Sequence, residues 1–141
     1  MKYILSVLLI CLVSIGINAQ SAVGTWKTID DNDGKVKSYV EIYEKDGKLH
    51  GKVSKLISTK MTVCADCKGV KKGQPIEGME IIWNLKKDSE TQWEGGYILD
   101  PASGKEYKCK IELADSETLN VRGFIGFSLL GRTQTWYRVS E

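Results

Sequence analysis

The strongest constraint on the fold is a strict alternation of apolar and charged residues in the last third of the chain. Residues 107–113 read Tyr-Lys-Cys-Lys-Ile-Glu-Leu, so apolar side chains occupy the odd positions and charged ones the even positions. Because successive side chains of a β-strand point to opposite faces, this segment is predicted to be a strand with Cys109 pointing inward. The same pattern predicts that Leu119 and Val121 are buried and that Arg122 faces outward.

Strand-like segments recur along the chain and are separated by residues that favour turns. The connections at 30–34, 45–48, 100–104 and 114–117 are rich in Asp, Ser and Gly. Glycine supplies positive φ, and Asp side chains hydrogen-bond to the turn backbone. We therefore predict an all-β fold, a meander of about eight antiparallel strands, closed into a barrel or folded as a sandwich. The predicted strands are 23–29, 36–44, 49–57, 79–85, 92–99, 106–113, 118–124 and 132–139.

The first 19 residues have the layout of a secretory signal peptide. A Met-Lys start is followed by an almost continuously apolar run over residues 3–17 and a short polar segment, with cleavage expected after Ala19. A retained membrane anchor is the alternative, but the run is short for a hydrocarbon core of ~30 Å. We expect an exported protein, periplasmic or extracellular. Residues 20–141 would form a single domain without a membrane-spanning segment.

The charges of the chain are nearly balanced and well mixed. Twenty Lys and Arg residues face eighteen Asp and Glu residues, which gives a formal net charge of +2. No basic run is long enough to follow a phosphate backbone, because basic residues alternate with acidic ones. The sequence therefore predicts that the protein does not bind nucleic acid.

A long segment without strand periodicity, residues 58–78, contains the pair Cys64 and Cys67. In an exported chain such a pair favours a disulfide that holds the segment in place. A redox pair would require the first cysteine at a helix N-terminus, and no βαβ pattern surrounds it. The third interpretation is a zinc site formed with Cys109 and the single histidine, His50. We favour the disulfide and interpret Cys109 as a small buried apolar residue.

No arrangement of catalytic residues stands out. The segment Asp31-Asn32-Asp33-Gly34 resembles part of a calcium loop, but the alignment puts Ile29 and Val40 where carboxylates are required. It is therefore interpreted as a solvated turn. A Ser-His-Asp arrangement has one base available in the whole chain, and no glycine-rich phosphate loop opens a helix. We expect a protein that is not an enzyme and carries no cofactor or metal.

A motif in two parts, one near each end of the predicted domain, resembles the calycins, the superfamily of lipocalins, fatty-acid-binding proteins and avidins. Gly24-Thr25-Trp26 is similar to the Gly-x-Trp opening of those barrels. There the Trp closes the base, and an Arg from the last strand packs across it. Arg138 is the matching residue here, and the pair would gain from cation–π attraction. The resemblance implies that the meander closes into a calycin-like barrel, with Gly24, Trp26 and Arg138 at its closure, and we favour this barrel over a sandwich.

More specifically, the chain resembles the DUF2147 family of exported bacterial proteins. The similarity rests on residues 24–26, 75–81, 93–101 and 104–107, and above all on Val-Arg-Gly-Phe-Ile-Gly at 121–126 with Gly-Arg-Thr-Gln-Thr-Trp at 131–136. It implies a fold and a compartment but no catalytic residues. We call seven of these positions the signature residues: Arg122, Gly123, Gly126, Gly131, Arg132, Gln134 and Trp136.

Two functions from different classes are compatible with these features. The calycin resemblance and the aromatic content favour a carrier that binds a small apolar or amphipathic ligand inside the barrel. However, small barrels also fill their interior with such side chains and leave no cavity. The alternative is a structural or protein-interaction module of the cell envelope with a filled barrel, using the apolar loop at 125–130 as a partner surface.

Overall fold

The computed structural model describes residues 21–127 and 129–140; the predicted signal peptide lies outside these residues. Eight β-strands account for most of the described chain, and a single 3₁₀ turn, Gly69–Lys71, is its only helical element. No helix in this part of the chain has the length and apolar character needed to cross a membrane. The strands are β1 Gly24–Ile29, β2 Val36–Lys45, β3 Lys48–Leu56, β4 Glu80–Lys87, β5 Gln92–Asp100, β6 Lys105–Asp115, β7 Thr118–Phe124 and β8 Gly131–Arg138.

The strands form a closed antiparallel barrel in chain order. Each strand pairs with the next, and β1 pairs with β8 to close the ring. This confirms the predicted all-β meander closed into a barrel and excludes the sandwich. The predicted strand boundaries agree with the observed ones to within two residues.

The connections divide the barrel into two ends of different character. At the closed end, short turns join β2 to β3, β4 to β5 and β6 to β7. At the open end lie the connections 30–35, 57–79, 101–104 and 125–130. Because successive strands run in opposite directions, alternate connections lie at the same end, and the three longest, 30–35, 57–79 and 125–130, are all at the open end.

The half of the barrel next to the closed end is filled by apolar side chains. The alternation predicted for β6 and β7 is observed, since Cys109, Leu119 and Val121 are all buried. Each large apolar side chain removed from water contributes ~1.5–3 kcal/mol to folding. The largest fully buried side chains are Trp26, Ile42, Ile82, Leu85, Ile111 and Leu119.

The long connection 57–79 is held in place at several points. Cys64 and Cys67 form a disulfide, with their Cα atoms 5.4 Å apart. The Cys64 backbone N–H donates to the carbonyl of Gln74 at 2.9 Å, and Val63 forms an isolated bridge with Pro75. The Cys64–Cys67 turn packs on the β5–β6 connection, where a Cβ on Gly104 would collide with the backbone of Asp66. The segment is thus a fixed part of the open end.

Candidate ligand-binding site

Trp26 of the Gly-x-Trp motif and Arg138 of the last strand lie against each other and seal the closed end. Trp26 is fully buried, and the guanidinium of Arg138 lies over its ring with the carbon 4.3 Å from the ring centroid. The Trp26 indole N–H donates to the carbonyl of Ala22 at 2.9 Å. Gly24 has φ +142°, and a Cβ there would lie 2.6 Å from Nη1 of Arg138. The glycine therefore makes room for the arginine over the ring.

Above this sealed base, the barrel contains a cavity of about 550 Å³ that opens toward the connections at the open end. One side of the cavity is apolar and is built by β3, β4, β5, β7 and the 57–79 connection, with Trp136 of β8 also lining the cavity. The residues on this side include Val53, Leu56, Ile76, Ile81, Ile98, Leu99 and Val121. The interior is therefore filled in the lower half only.

The opposite side of the cavity is polar. The hydroxyls of Thr28 on β1 and Ser38 on β2 are 2.7 Å apart and hydrogen-bonded, and both residues are buried. Thr28 Oγ1 also lies 3.4 Å from the Ser38 carbonyl oxygen. These hydroxyls satisfy each other but lie at the cavity surface, where a ligand group can share them.

Three signature residues on β8 continue this polar side toward the open end. Arg132, Gln134 and Trp136 lie on the same face of the strand and line the cavity. The Trp136 indole N–H donates to Oε1 of Gln134 at 3.3 Å, and Nε2 of Gln134 donates to Oδ2 of Asp31 at 3.1 Å. The same carboxylate oxygen pairs with the guanidinium of Arg132. A chain of hydrogen bonds thus runs from the buried indole to an exposed ion pair.

The remaining signature residues have other positions. Arg122 lies on the outer face of β7, as predicted, where its Nη1 donates to the hydroxyl of Thr133 at 3.0 Å. Gly123 lines the cavity, where its missing side chain leaves room beside Ile98. Gly131 packs against the backbone of β7, and Gly126 lies in the 125–130 connection.

The four residues of the zinc alternative are not brought together. Cys64 and Cys67 are bonded to each other, and His50 stacks on Tyr43 while its Nδ1 lies 2.9 Å from Oε1 of Glu80. Within residues 21–127 and 129–140, no group of three His, Cys, Asp or Glu side chains is placed to hold a metal ion. Cys109 is fully buried, and this burial raises the pKa of its thiol to about 12.

The connection between β7 and β8 exposes large apolar side chains beside the cavity mouth. Phe127 is 76% exposed and Leu129 is 88% exposed. Ile125 and Leu130 are also exposed, and both line the cavity. The loop therefore forms part of the rim of the cavity.

Sequence reasoning missed the role of Asp31, which was interpreted as part of a solvated turn. The carboxylates of Asp30 and Asp33 do cap the turn, since they accept the backbone N–H groups of Asn32 and Lys35. The carboxylate of Asp31 instead reaches across to β8. The polar pair of Thr28 and Ser38 was missed as well. No local signal identifies these residues, because their role depends on which strands become neighbours.

Comparison with known proteins agrees with this architecture. Protein HP1028 from the human pathogen Helicobacter pylori, described as belonging to the lipocalin family, has a similar structure, with a TM-score of 0.77 and 20% sequence identity. The match covers 86% of this chain and 84% of that one, and it shows a lipocalin-like fold. No curated protein sequence matches the chain. The profile of a family described as "Uncharacterized protein conserved in bacteria (DUF2147)" matches residues 24–138, and the chain therefore belongs to that family.

Proposed function

We propose that this protein is an exported, non-catalytic carrier that binds a small amphipathic ligand in the open half of its barrel. The observation that carries the proposal is the cavity of about 550 Å³, sealed at the base by Trp26 and Arg138 and open at the other end. Ligand pockets for small molecules measure about 300–1,000 Å³ and are mostly apolar, with a few polar groups that orient the ligand. The cavity matches that description in size and in lining.

The distribution of polar groups supports a ligand with two unlike sides. The apolar side, with Val53, Ile81 and Ile98, would take up the hydrocarbon part of the ligand. The polar side, with Thr28 and Gln134, offers a hydroxyl and an amide to a polar group on its other edge. A purely apolar ligand would leave this side without new partners, so we favour an amphipathic one.

Export is part of the proposal and is supported by two features. The apolar run at residues 3–17 follows a basic start, and the Cys64–Cys67 disulfide suits an oxidising compartment. An intact mass of the protein purified from the exported fraction tests both together. Loss of residues 1–19 and of the two hydrogens of one disulfide is the expected result; a full-length chain retained in the membrane fraction would contradict it.

Ligand binding is tested by titration with N-phenyl-1-naphthylamine, a neutral amphipathic probe with two aromatic groups and one N–H donor, whose fluorescence rises when it leaves water. We expect saturable binding by the wild type. Ile98→Trp puts a larger side chain into the cavity and should weaken binding about tenfold or more, because overpacking costs ~1–3 kcal/mol. Tyr97→Trp is the matched control, since Tyr97 directly precedes Ile98 on β5 and its side chain is exposed on the outer face of the barrel. Equal binding by both variants would show that the probe binds elsewhere.

A second candidate function is an envelope interaction module. The observation that favours it is the exposure of Ile125, Phe127, Leu129 and Leu130 in one connection, since contiguous exposed apolar side chains mark interaction surfaces. Amide hydrogen exchange of the isolated protein tests it. Fast exchange of the loop amides is expected for a free surface. Strong protection would mean that the loop is buried in solution, which would remove the reason for this candidate.

A further inference from the structure

The barrel wall is not uniform, because the seam between β1 and β8 is paired over a short distance. Two residue pairs join these strands in the described chain, Trp26 with Arg138 and Lys27 with Tyr137. In contrast, β7 and β8 are paired along the whole of β7, up to Phe124 opposite Gly131. Backbone pairing therefore joins β1 to β8 next to the base. In the described chain, it does not continue toward the open end.

Extending the antiparallel register shows what is missing in the upper seam. Thr28 would lie opposite Trp136, and Ile29 opposite Thr135, but neither pair is formed. Thr28 and Ile29 continue to pair with β2 on their other side, at Ser38 and Val36. The upper parts of β1 and β8 are thus not joined by backbone pairs, while each remains paired with its other neighbour.

Side chains bridge the gap that the missing ladder leaves. Asp31, just beyond the end of β1, accepts from Nε2 of Gln134 at 3.1 Å and pairs with Arg132. The side chains of Arg132 and Asp31 are 66% and 48% exposed, so water screens this ion pair. Exposed pairs of this kind are weak, and they can open without breaking any backbone hydrogen bond.

Residues on both sides of the gap line the cavity. On the β1 side they are Thr28, Ile29 and Asp31, and on the β8 side they are Arg132, Gln134 and Trp136. The other way into the cavity passes beside the 57–79 connection, whose Ile76 and Met61 line the cavity. Backbone hydrogen bonds such as Val53 N–H to Met79 O at 2.9 Å and Ile76 N–H to Thr62 O at 2.9 Å hold that connection in place. Among the described residues, opening the seam breaks only the side-chain contacts of Asp31 with Arg132 and Gln134, which are fewer and weaker than the backbone hydrogen bonds of the 57–79 connection.

We propose that the upper β1–β8 seam is a lateral entrance to the cavity, and that Asp31, held by Arg132 and Gln134, is the latch that closes it. The inference rests on the proposed ligand-binding function and adds the route by which the ligand enters and leaves. Opening the latch lowers the barrier that the ligand crosses in both directions, so its loss raises the association and dissociation rate constants together. Loss of a contact with the bound ligand would instead raise the dissociation rate constant alone.

The test measures both rate constants for N-phenyl-1-naphthylamine by stopped-flow fluorescence. Asp31→Asn removes the charge that Arg132 pairs with, and we expect both rate constants to rise about fivefold, the size expected from an exposed ion pair with one hydrogen bond. Asp33→Asn is the matched control, because it makes the same charge change in the same turn while its side-chain oxygen still accepts from Lys35 N–H. Rate constants like those of the wild type are expected for this control.

A second variant makes the result specific to the latch. Arg132→Gln breaks the ion pair from the β8 side. The double variant Asp31→Asn/Arg132→Gln should bind and release the probe no faster than either single variant, because all three variants remove the same ion pair. Unchanged rates in both single variants, or additive effects in the double variant, would overturn the latch while binding by the wild type still supports the carrier. Absence of probe binding by the wild type would overturn the carrier itself, and the entrance with it.

Discussion

Arg138 lies across the ring of Trp26 and ties the last strand to the start of the described chain. Its Nη1 donates to the carbonyl of Val23 at 3.0 Å, its Nη2 to that of Ser21 at 2.8 Å, and its Nε to that of Ser116 at 2.7 Å. One side chain thus binds the segment before β1 and the β6–β7 turn while it covers the buried indole. This contact closes the barrel at one end.

Replacing Trp26 by Ala should destabilise the protein by ~3–5 kcal/mol, the range for buried aromatic residues. The side chain is fully buried at the base and its indole N–H is bonded to Ala22. Trp26→Phe keeps a ring under Arg138 and should lose less, about 1–2 kcal/mol for the lost volume and hydrogen bond. Chemical denaturation measures both. An unchanged midpoint for Trp26→Ala would disprove the role of this residue in barrel closure.

Arg138→Lys should cost about 1–2 kcal/mol although it conserves the charge. A lysine ammonium cannot reach three carbonyl groups arranged around a planar guanidinium, so part of the network on Ser21, Val23 and Ser116 is lost. Chemical denaturation gives the cost, and amide exchange at residues 21–24 should accelerate. If Lys restored full stability, charge alone would account for the contact with Trp26.

Gly104→Ala should disturb the long connection far more than an equivalent change elsewhere. Gly104 and Gly34 both have φ +71°, but a Cβ at Gly104 would collide with the carbonyl of Asp66, whereas Gly34 faces open space. Gly34→Ala therefore carries only the backbone strain of about 1 kcal/mol. We expect a larger drop in melting temperature for Gly104→Ala, with faster amide exchange at residues 62–67. Equal drops for the two variants would contradict the packing of the Cys64–Cys67 turn on this glycine.

The double variant Cys64→Ser/Cys67→Ser should loosen the long connection and leave the barrel folded. A disulfide that closes so short a loop contributes about 2 kcal/mol or less. The segment keeps backbone hydrogen bonds such as Cys64 N–H to Gln74 O and Gly73 N–H to Cys64 O. Amide exchange should rise within residues 62–76 while the circular dichroism of the sheet is retained. Unfolding of the whole protein would show that the pair has a larger structural role.

The buried thiol of Cys109 should make the protein less stable at alkaline pH. Burial raises its pKa from 9.0 to about 12, so the folded state keeps a proton that the unfolded chain releases. The stabilisation is complete below pH 9 and is lost as the pH rises from there toward about 12. Denaturation midpoints at pH 8 to about 11 should fall more steeply for the wild type than for Cys109→Ala. Parallel profiles would mean that the thiol is not buried in solution.

Much of the architecture was readable from the sequence because it depends on local patterns. Alternation along residues 107–113 and glycine-containing turns are properties of neighbouring residues, and the predicted strands agree with β1–β8 to within two residues. The signature around Arg122 and Trp136 also indicated the correct family. The proximity of Cys64 and Cys67 in the sequence was sufficient to favour their disulfide.

The sequence alone could not decide between a filled and an open barrel. Both have the same alternation of apolar and polar residues, and the difference lies in how side chains from all eight strands share the interior. Trp26, Ile42 and Leu85 fill the lower half, whereas the upper half keeps a cavity beside Ile98 and Val121.

By itself, the sequence determined the class of fold and the order of its strands, because periodicity and turn chemistry specify these locally. Only the tertiary structure decided where the cavity lies and which polar groups meet at its edge. The contact between Asp31 and Gln134 joins residues 103 positions apart. It forms because barrel closure makes the first and last strands neighbours, and side chains join them beyond the end of their backbone pairing.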